Sequence, residues 1–135
     1  MSEFRQNPIT KAWVLIAPNR SKRPEDFKTV SVMALEPELD PACVFCPGNE
    51  HKNRELDRYP QTDEWQLWVI ENKFHALDNV PIYRHKEFYI SRSGHGDHEV
   101  IVTRKHNEPV ALQSVQTIQL TLRAFIDRYS KISED

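Results

Sequence analysis

Ser114-Val115-Gln116-Thr117-Ile118-Gln119-Leu120-Thr121-Leu122-Arg123-Ala124-Phe125-Ile126-Asp127-Arg128-Tyr129 is the one stretch of this chain whose periodicity names its own secondary structure. Val115, Ile118, Leu122, Phe125, Ile126 and Tyr129 recur at spacings of three and four, which puts them on one face of a helix. Ser114 stands where an N-cap belongs. Everything upstream reads as short strands and irregular chain. Trp13 to Ala17 is a compact β-prone run stopped by Pro18-Asn19, and Trp65 to Glu71 reads as a second strand. Phe88 to Ser91 and Glu99 to Thr103 are predicted to form an antiparallel pair joined by the Arg92–His98 loop, which contains Gly94 and Gly96. Strands followed by one helix give an α+β domain, with the apolar face of the helix expected to cover the sheet.

The bulk properties exclude several classes. At 135 residues the length fits a single domain spanning 1–135. A net charge of −2, with 28% charged and 39% hydrophobic residues, gives no footprint for general nucleic-acid binding. No apolar run approaches the ~20 residues that cross a bilayer, and the N-terminus lacks a signal-type hydrophobic region. The expectation is a cytoplasmic protein without membrane or nucleic-acid partners.

The only two cysteines lie in Cys43-Val44-Phe45-Cys46-Pro47-Gly48-Asn49-Glu50, a segment too rich in turn formers for a helix or strand. Two thiolates on one tight knuckle can share a soft cation, and in a reducing compartment such a pair is more often a metal or redox site than a disulfide. It is half of a zinc site, and a metal would anchor the long irregular segments on either side, which run on to Asp63. Gly94-His95-Gly96-Asp97-His98-Glu99-Val100 and His106 offer further imidazoles, and spacing alone does not choose among them. Pro18-Asn19-Arg20-Ser21-Lys22-Arg23-Pro24 sets three cations in four residues beside a strand end. That is either an anion cradle or a solvated basic turn.

Taken in order, Arg5-Gln6-Asn7-Pro8-Ile9-Thr10, Trp13-Val14-Leu15-Ile16-Ala17-Pro18, Arg20-Ser21-Lys22-Arg23-Pro24, Cys43-x-x-Cys46-Pro47-Gly48-Asn49-Glu50, Glu71-Asn72-Lys73-Phe74, Gly96-x-His98-Glu99-Val100 and His106 resemble the amino-terminal half of the galactose-1-phosphate uridylyltransferase family. This family belongs to the histidine-triad superfamily and includes nucleotide-sugar phosphorylases. The resemblance runs from about residue 3 to the helix. It implies a histidine-triad-like antiparallel sheet covered by a C-terminal helix, with long irregular loops anchored by zinc. Cys43, Cys46 and His106 match the family's metal ligands. Arg20 and Arg23 match basic residues that contact nucleotide phosphates, partly across a homodimer. Asn72, Phe74, Ala76 and Leu77 match the segment lining the nucleoside pocket.

The family's catalytic His-Pro-His-x-Gln motif, whose second histidine takes the nucleotidyl group, has no counterpart in these 135 residues, and no His-x-His occurs in them. No residue of this sequence is therefore assigned a catalytic role. The resemblance implies the amino-terminal part of a nucleotidyltransferase acting on a nucleotide sugar and a sugar phosphate, in the manner of UDP-glucose and galactose-1-phosphate. A relative phosphorylysing ADP-sugars is the alternative, and a non-catalytic zinc-stabilised nucleotide-binding module is a third reading.

Overall fold

In a computed structural model, which describes residues 1–22, 37–86 and 90–134, the strands sort into two separate antiparallel sheets. Each sheet belongs to its own unit of the chain. One unit gathers the described residues of Met1–Lys28 and Asn72–His98, and the other those of Thr29–Glu71 and Glu99–Asp135. The family-like expectation of antiparallel sheet with a C-terminal helix is met, but the strands are shared out differently from the sequence reading.

The first unit holds β1 (Glu3–Gln6), β2 (Trp13–Ile16), β5 (Arg84–Lys86) and β6 (Ile90–Ser93) in the order β2-β1-β6-β5. Asn7 turns β1 into β2, its side-chain oxygen accepting the N–H groups of Ile9 and Thr10 at 2.9 and 3.0 Å. Arg92 of β6 lies over the rings of both Phe4 and Trp13, 5.0 and 4.7 Å from their centroids. At the end of β6, Gly94 donates its N–H to the Ser2 carbonyl at 2.8 Å. A Cβ at Gly94 would meet the Ser2 backbone at 2.9 Å, so only glycine lets the two segments approach this closely.

The second unit holds β3 (Glu55–Tyr59), β4 (Leu67–Glu71) and β7 (Glu99–Thr103), with β4 central, and the helix α1 (Val115–Glu134). Leu67, Trp68, Val69 and Ile70 are all buried in this central, apolar strand. On one face Trp68 and Ile70 cluster with Trp65, Val100 and Val102. The two indoles reach out to carboxylates: Trp65 Nε1 donates to Glu50 at 2.9 Å and Trp68 Nε1 to Glu55 at 2.8 Å.

Three sequence expectations need correction. The segments around Phe88–Ser91 and Glu99–Thr103 do not pair, Phe88 itself lying outside the described residues. Instead β6 pairs with β1 and β5, and β7 pairs with β4. The cause is composition: β7 is the apolar strand that β4 needs beside it, whereas β6 puts small buried Ser91 and Ser93 against β1. The stretch leading to Asp63 is not all irregular, since Glu55–Tyr59 forms β3.

The third correction is the orientation of α1. Its cap is as expected, Ser114 Oγ accepting the Thr117 N–H at 3.1 Å. Its apolar stripe, however, faces outward: Leu122, Phe125, Ile126 and Tyr129 are exposed, while Ala124 is 0% exposed. Asp57 and Glu99 explain the turn. Both carboxylates are buried on the sheet and both need a cation. Arg128 Nε bonds Glu99 at 2.7 Å and Lys131 Nζ bonds Asp57 at 2.9 Å, so the helix presents the face that carries Ala124, Arg128 and Lys131.

Candidate metal centre and nucleotide loop

In the second unit, Cys43, Cys46 and His106 come together, with their donor atoms all within 4.8 Å of one another. Cys46 Sγ lies 3.5 Å from His106 Nδ1. The knuckle is closed by its own backbone: Cys46 N–H reaches the Cys43 carbonyl at 3.3 Å, and Asn49 N–H the Cys46 carbonyl at 3.1 Å. Buried Asn49 then spends its side-chain amide on the carbonyls of Pro41 and Cys43, at 2.9 and 2.8 Å. Backbone N–H groups point at the sulfurs, Asp40 N–H at Cys46 (3.3 Å) and Phe45 N–H at Cys43 (3.4 Å). His106 is brought in by its N–H, which bonds the Glu38 carbonyl at 2.9 Å.

Electrostatics favour a cation here. Burial pushes the Cys46 thiol up from its ordinary value, the Asp40 N–H pulls it down, and the Cys43 thiol beside it pushes it up again. Two thiolates side by side repel each other, and a bound cation removes that repulsion. Two soft sulfurs and one imidazole in this spacing fit zinc or a similar soft divalent ion, and binding would release the thiol protons. Glu50 secures the knuckle to the tryptophan core. Burial raises its carboxyl, but the Trp65 N–H, the N–H groups of Glu50 and Gly48, and Arg58 outweigh this and hold it below the usual range.

In the first unit, Asn72, Phe74, Ala76 and Leu77 lie half-buried on one loop following β4. Arg20, in the 3-10 turn after β2, donates from Nη1 to the Phe74 carbonyl at 3.0 Å. Arg20 is thus held to the loop rather than left to solvent. Arg23 lies outside the described residues. Leu77 packs against Gly96, where φ is +142° and a Cβ would sit 3.1 Å from the leucine side chain. His75 Nε2 is 3.2 Å from Asp78, whose other oxygen accepts the Ser2 N–H at 2.8 Å.

Sequence reading gave no role in this loop to His98, which the structure ties to it at three points. Its carbonyl accepts the Asn72 N–H at 2.8 Å, its Nδ1 accepts the Ala76 N–H at 3.0 Å, and its Nε2 lies 3.1 Å from the Asn72 amide nitrogen. The Gly-x-His-Glu-Val motif was the available signal. Burial, then the nearby Arg20 and His75, hold the His98 ring below its ordinary pKa and keep it neutral.

Comparison with known proteins sets these features in context. The family model for the galactose-1-phosphate uridyl transferase N-terminal domain matches residues 1–135. An ADP-glucose phosphorylase of Arabidopsis thaliana is 36% identical over 121 residues, covering 88% of this chain and 33% of the relative. A galactose-1-phosphate uridylyltransferase of Haemophilus influenzae is 36% identical over 74 residues, covering 54% of this chain and 20% of the relative. Among solved structures, the Arabidopsis ADP-glucose phosphorylase with bound ADP-glucose superposes with a TM-score of 0.58 at 27% identity, covering all of this chain and 39% of that one. The chain thus spans about a third or less of the length of these curated relatives.

Proposed function

The chain belongs to the galactose-1-phosphate uridyl transferase family, and from that premise we propose that it supplies the nucleotide-binding and zinc-anchored part of a nucleotidyltransferase. The full reaction would move a nucleoside monophosphate between a nucleotide sugar and a sugar phosphate. The observation that carries the reading is Arg20 held against the Phe74 carbonyl. It places a guanidinium beside a loop that offers an amide and apolar groups, the combination a nucleotide needs for its phosphates, ribose and base. Arg20, with Arg23, would neutralise phosphate charge; Asn72 would hydrogen-bond the nucleoside; Phe74, Ala76 and Leu77 would line its apolar side. Cys43, Cys46 and His106 would hold zinc, whose chemistry here is to fix the loops rather than to react. The nucleophile belongs to the His-Pro-His-x-Gln motif, which these residues do not contain.

The nucleotide reading has two versions. A uridylyl enzyme follows from the family description. An adenylyl version is supported by the ADP-glucose phosphorylase match, 36% identical over 88% of the chain, where a probable uridylyltransferase of Drosophila melanogaster is 28% identical over 96%. We also take the exposed apolar stripe of α1 as the reason for a homodimer, and the histidine-triad superfamily as the fold's parent. No helix among the described residues is long and apolar enough to cross a membrane, and the proposed location is the cytoplasm.

Calorimetric titration of the chain with UDP-glucose and ADP-glucose tests the proposal, beside metal analysis of the wild type and Cys43→Ser. Expected are one zinc per chain, lost on substitution, and binding of one nucleotide sugar that Arg20→Ala weakens about tenfold or more. Binding of neither nucleotide sugar by the zinc-loaded chain would sink the reading.

A further inference from the structure

The loop proposed to meet the nucleotide is fastened by one ring, and the hydrogen-bond count around that ring does not close. His98 reaches 22 residues back to Ala76 and 26 back to Asn72. A backbone N–H can only donate, so the Nδ1 that Ala76 meets at 3.0 Å carries a lone pair. A neutral imidazole has one hydrogen, which must then sit on Nε2. Nε2 faces the Asn72 side-chain amide at 3.1 Å, while the amide oxygen accepts the Phe74 N–H at 2.9 Å. The local donors are Ala76 N–H, Phe74 N–H, the Asn72 amino group and His98 Nε2–H. The local acceptors are His98 Nδ1 and Asn72 Oδ1. Turning the amide over moves the mismatch from Nε2 to Phe74 without removing it. Whichever way Asn72 points, a donor is left facing another donor.

We propose that His98 is a positioning residue: as a neutral ring with its hydrogen on Nε2, it fixes the Asn72–Ala76 backbone and leaves a surplus donor for an acceptor oxygen of the bound nucleotide. The ligand class rests on the nucleotide reading above, whereas the tautomer rests on geometry alone. Charge reinforces the arrangement. Arg20, from the turn after β2, is the cation set against the ring, with His75 of the loop beside it, and both oppose a proton on it. His75 is in turn paired with Asp78. A proton on Nδ1 would confront the Ala76 N–H and free the loop. Nucleotide binding is therefore full while the folded ring is neutral and falls only as pH drops through its lowered folded value, below the ordinary 6.5.

The test is two-bond 15N–1H correlation NMR on the labelled, zinc-loaded chain, with His98 assigned through His98→Gln. Expected at pH 7 are a non-protonated Nδ1, a protonated Nε2 and a His98 ring that titrates below the ordinary 6.5. His98→Gln should weaken binding of UDP-glucose or ADP-glucose, whose esterified phosphates do not titrate in this range, about tenfold and abolish the acid-side fall in affinity, while His75→Gln keeps the tautomer. A hydrogen on Nδ1, or a folded His98→Gln that binds with wild-type affinity and pH profile, overturns the proposal. Should His98→Gln fail to fold, exchange of the Ala76 amide in the wild type decides, an unprotected amide at pH 7 counting against the ring. If neither nucleotide binds at any pH while tautomer and Ala76 protection are as stated, the nucleotide reading fails and the positioning role of His98 stands.

Discussion

Phe125 and Ala124 are neighbours on α1 with opposite surroundings, and their substitution energies should invert what the periodicity of the helix suggests. By spacing, Phe125 belongs to the buried stripe, and a core phenylalanine cut to alanine loses about 3–5 kcal/mol. In the structure its residue is 56% exposed. Full burial of such a side chain contributes about 1.5–3 kcal/mol, so a little under half of that is at stake, roughly 1 kcal/mol. The better helix propensity of alanine returns about half a kcal/mol. Phe125→Ala should therefore cost under about 1 kcal/mol. Ala124 is 0% exposed on the face turned to the sheet. Leucine there has nowhere to go without lifting α1, at a cost of about 1–3 kcal/mol. Urea unfolding followed by circular dichroism, repeated over a range of protein concentrations, measures both. The concentration series matters because association through the exposed stripe would add apparent stability by mass action. A loss of 3 kcal/mol or more for Phe125→Ala at the most dilute, monomeric end, with a neutral Ala124→Leu, would refute the orientation of the helix.

Two further predictions concern the ionic contacts that turn α1. Arg128 and Glu99 have side chains only 14% and 10% exposed. Arg128→Met strands the Glu99 carboxylate and should cost about 3–5 kcal/mol, most of it recovered in the Arg128→Met/Glu99→Met double variant, as a double-mutant unfolding cycle would show. Burial raises the Asp57 carboxyl, but the Lys131 hydrogen bond, the Arg58 N–H and the charges of Lys131 and Arg128 bring it below its ordinary 3.8. As pH falls the unfolded chain takes up that proton first. The contribution of Asp57 is thus full above pH 3.8 and drains away as pH drops through the lower folded value. Unfolding free energies between pH 5 and 2 should show this acid limb in the wild type and a flatter one in Lys131→Met.

The metal cluster was legible because its chemistry is local: a turn-rich knuckle allows two cysteines few roles, and the resemblance supplied His106. The strands were legible where they are apolar, as at Trp13–Ile16 and Leu67–Glu71. They were not where charge masks them. Glu55-Leu56-Asp57-Arg58-Tyr59 reads as loop until Arg58 is seen neutralised by Glu55 and Asp57 by Lys131. The helix shows the same limit from the other side. Its periodicity revealed an apolar stripe correctly, but which stripe turns inward was decided by Asp57 and Glu99, more than twenty residues away in sequence. The grip of His98 on the Asn72–Leu77 loop is likewise a contact between distant residues, and no local pattern encodes it.

The two units are interleaved along the polypeptide, the chain passing between them three times, at Lys28–Thr29, Glu71–Asn72 and His98–Glu99. During synthesis, neither can be finished early. β1 and β2 are made before β3 and β4 but must wait for β6 to complete their sheet. β4, the most buried strand, must wait for β7 and α1 while β5 and β6 of the first unit are still being made. No single cut separates two intact pieces either, so a protease that nicks the chain between the units severs a covalent link that both require. For expression and dissection alike, the smallest unit of inheritance here is the whole stretch from β1 to α1.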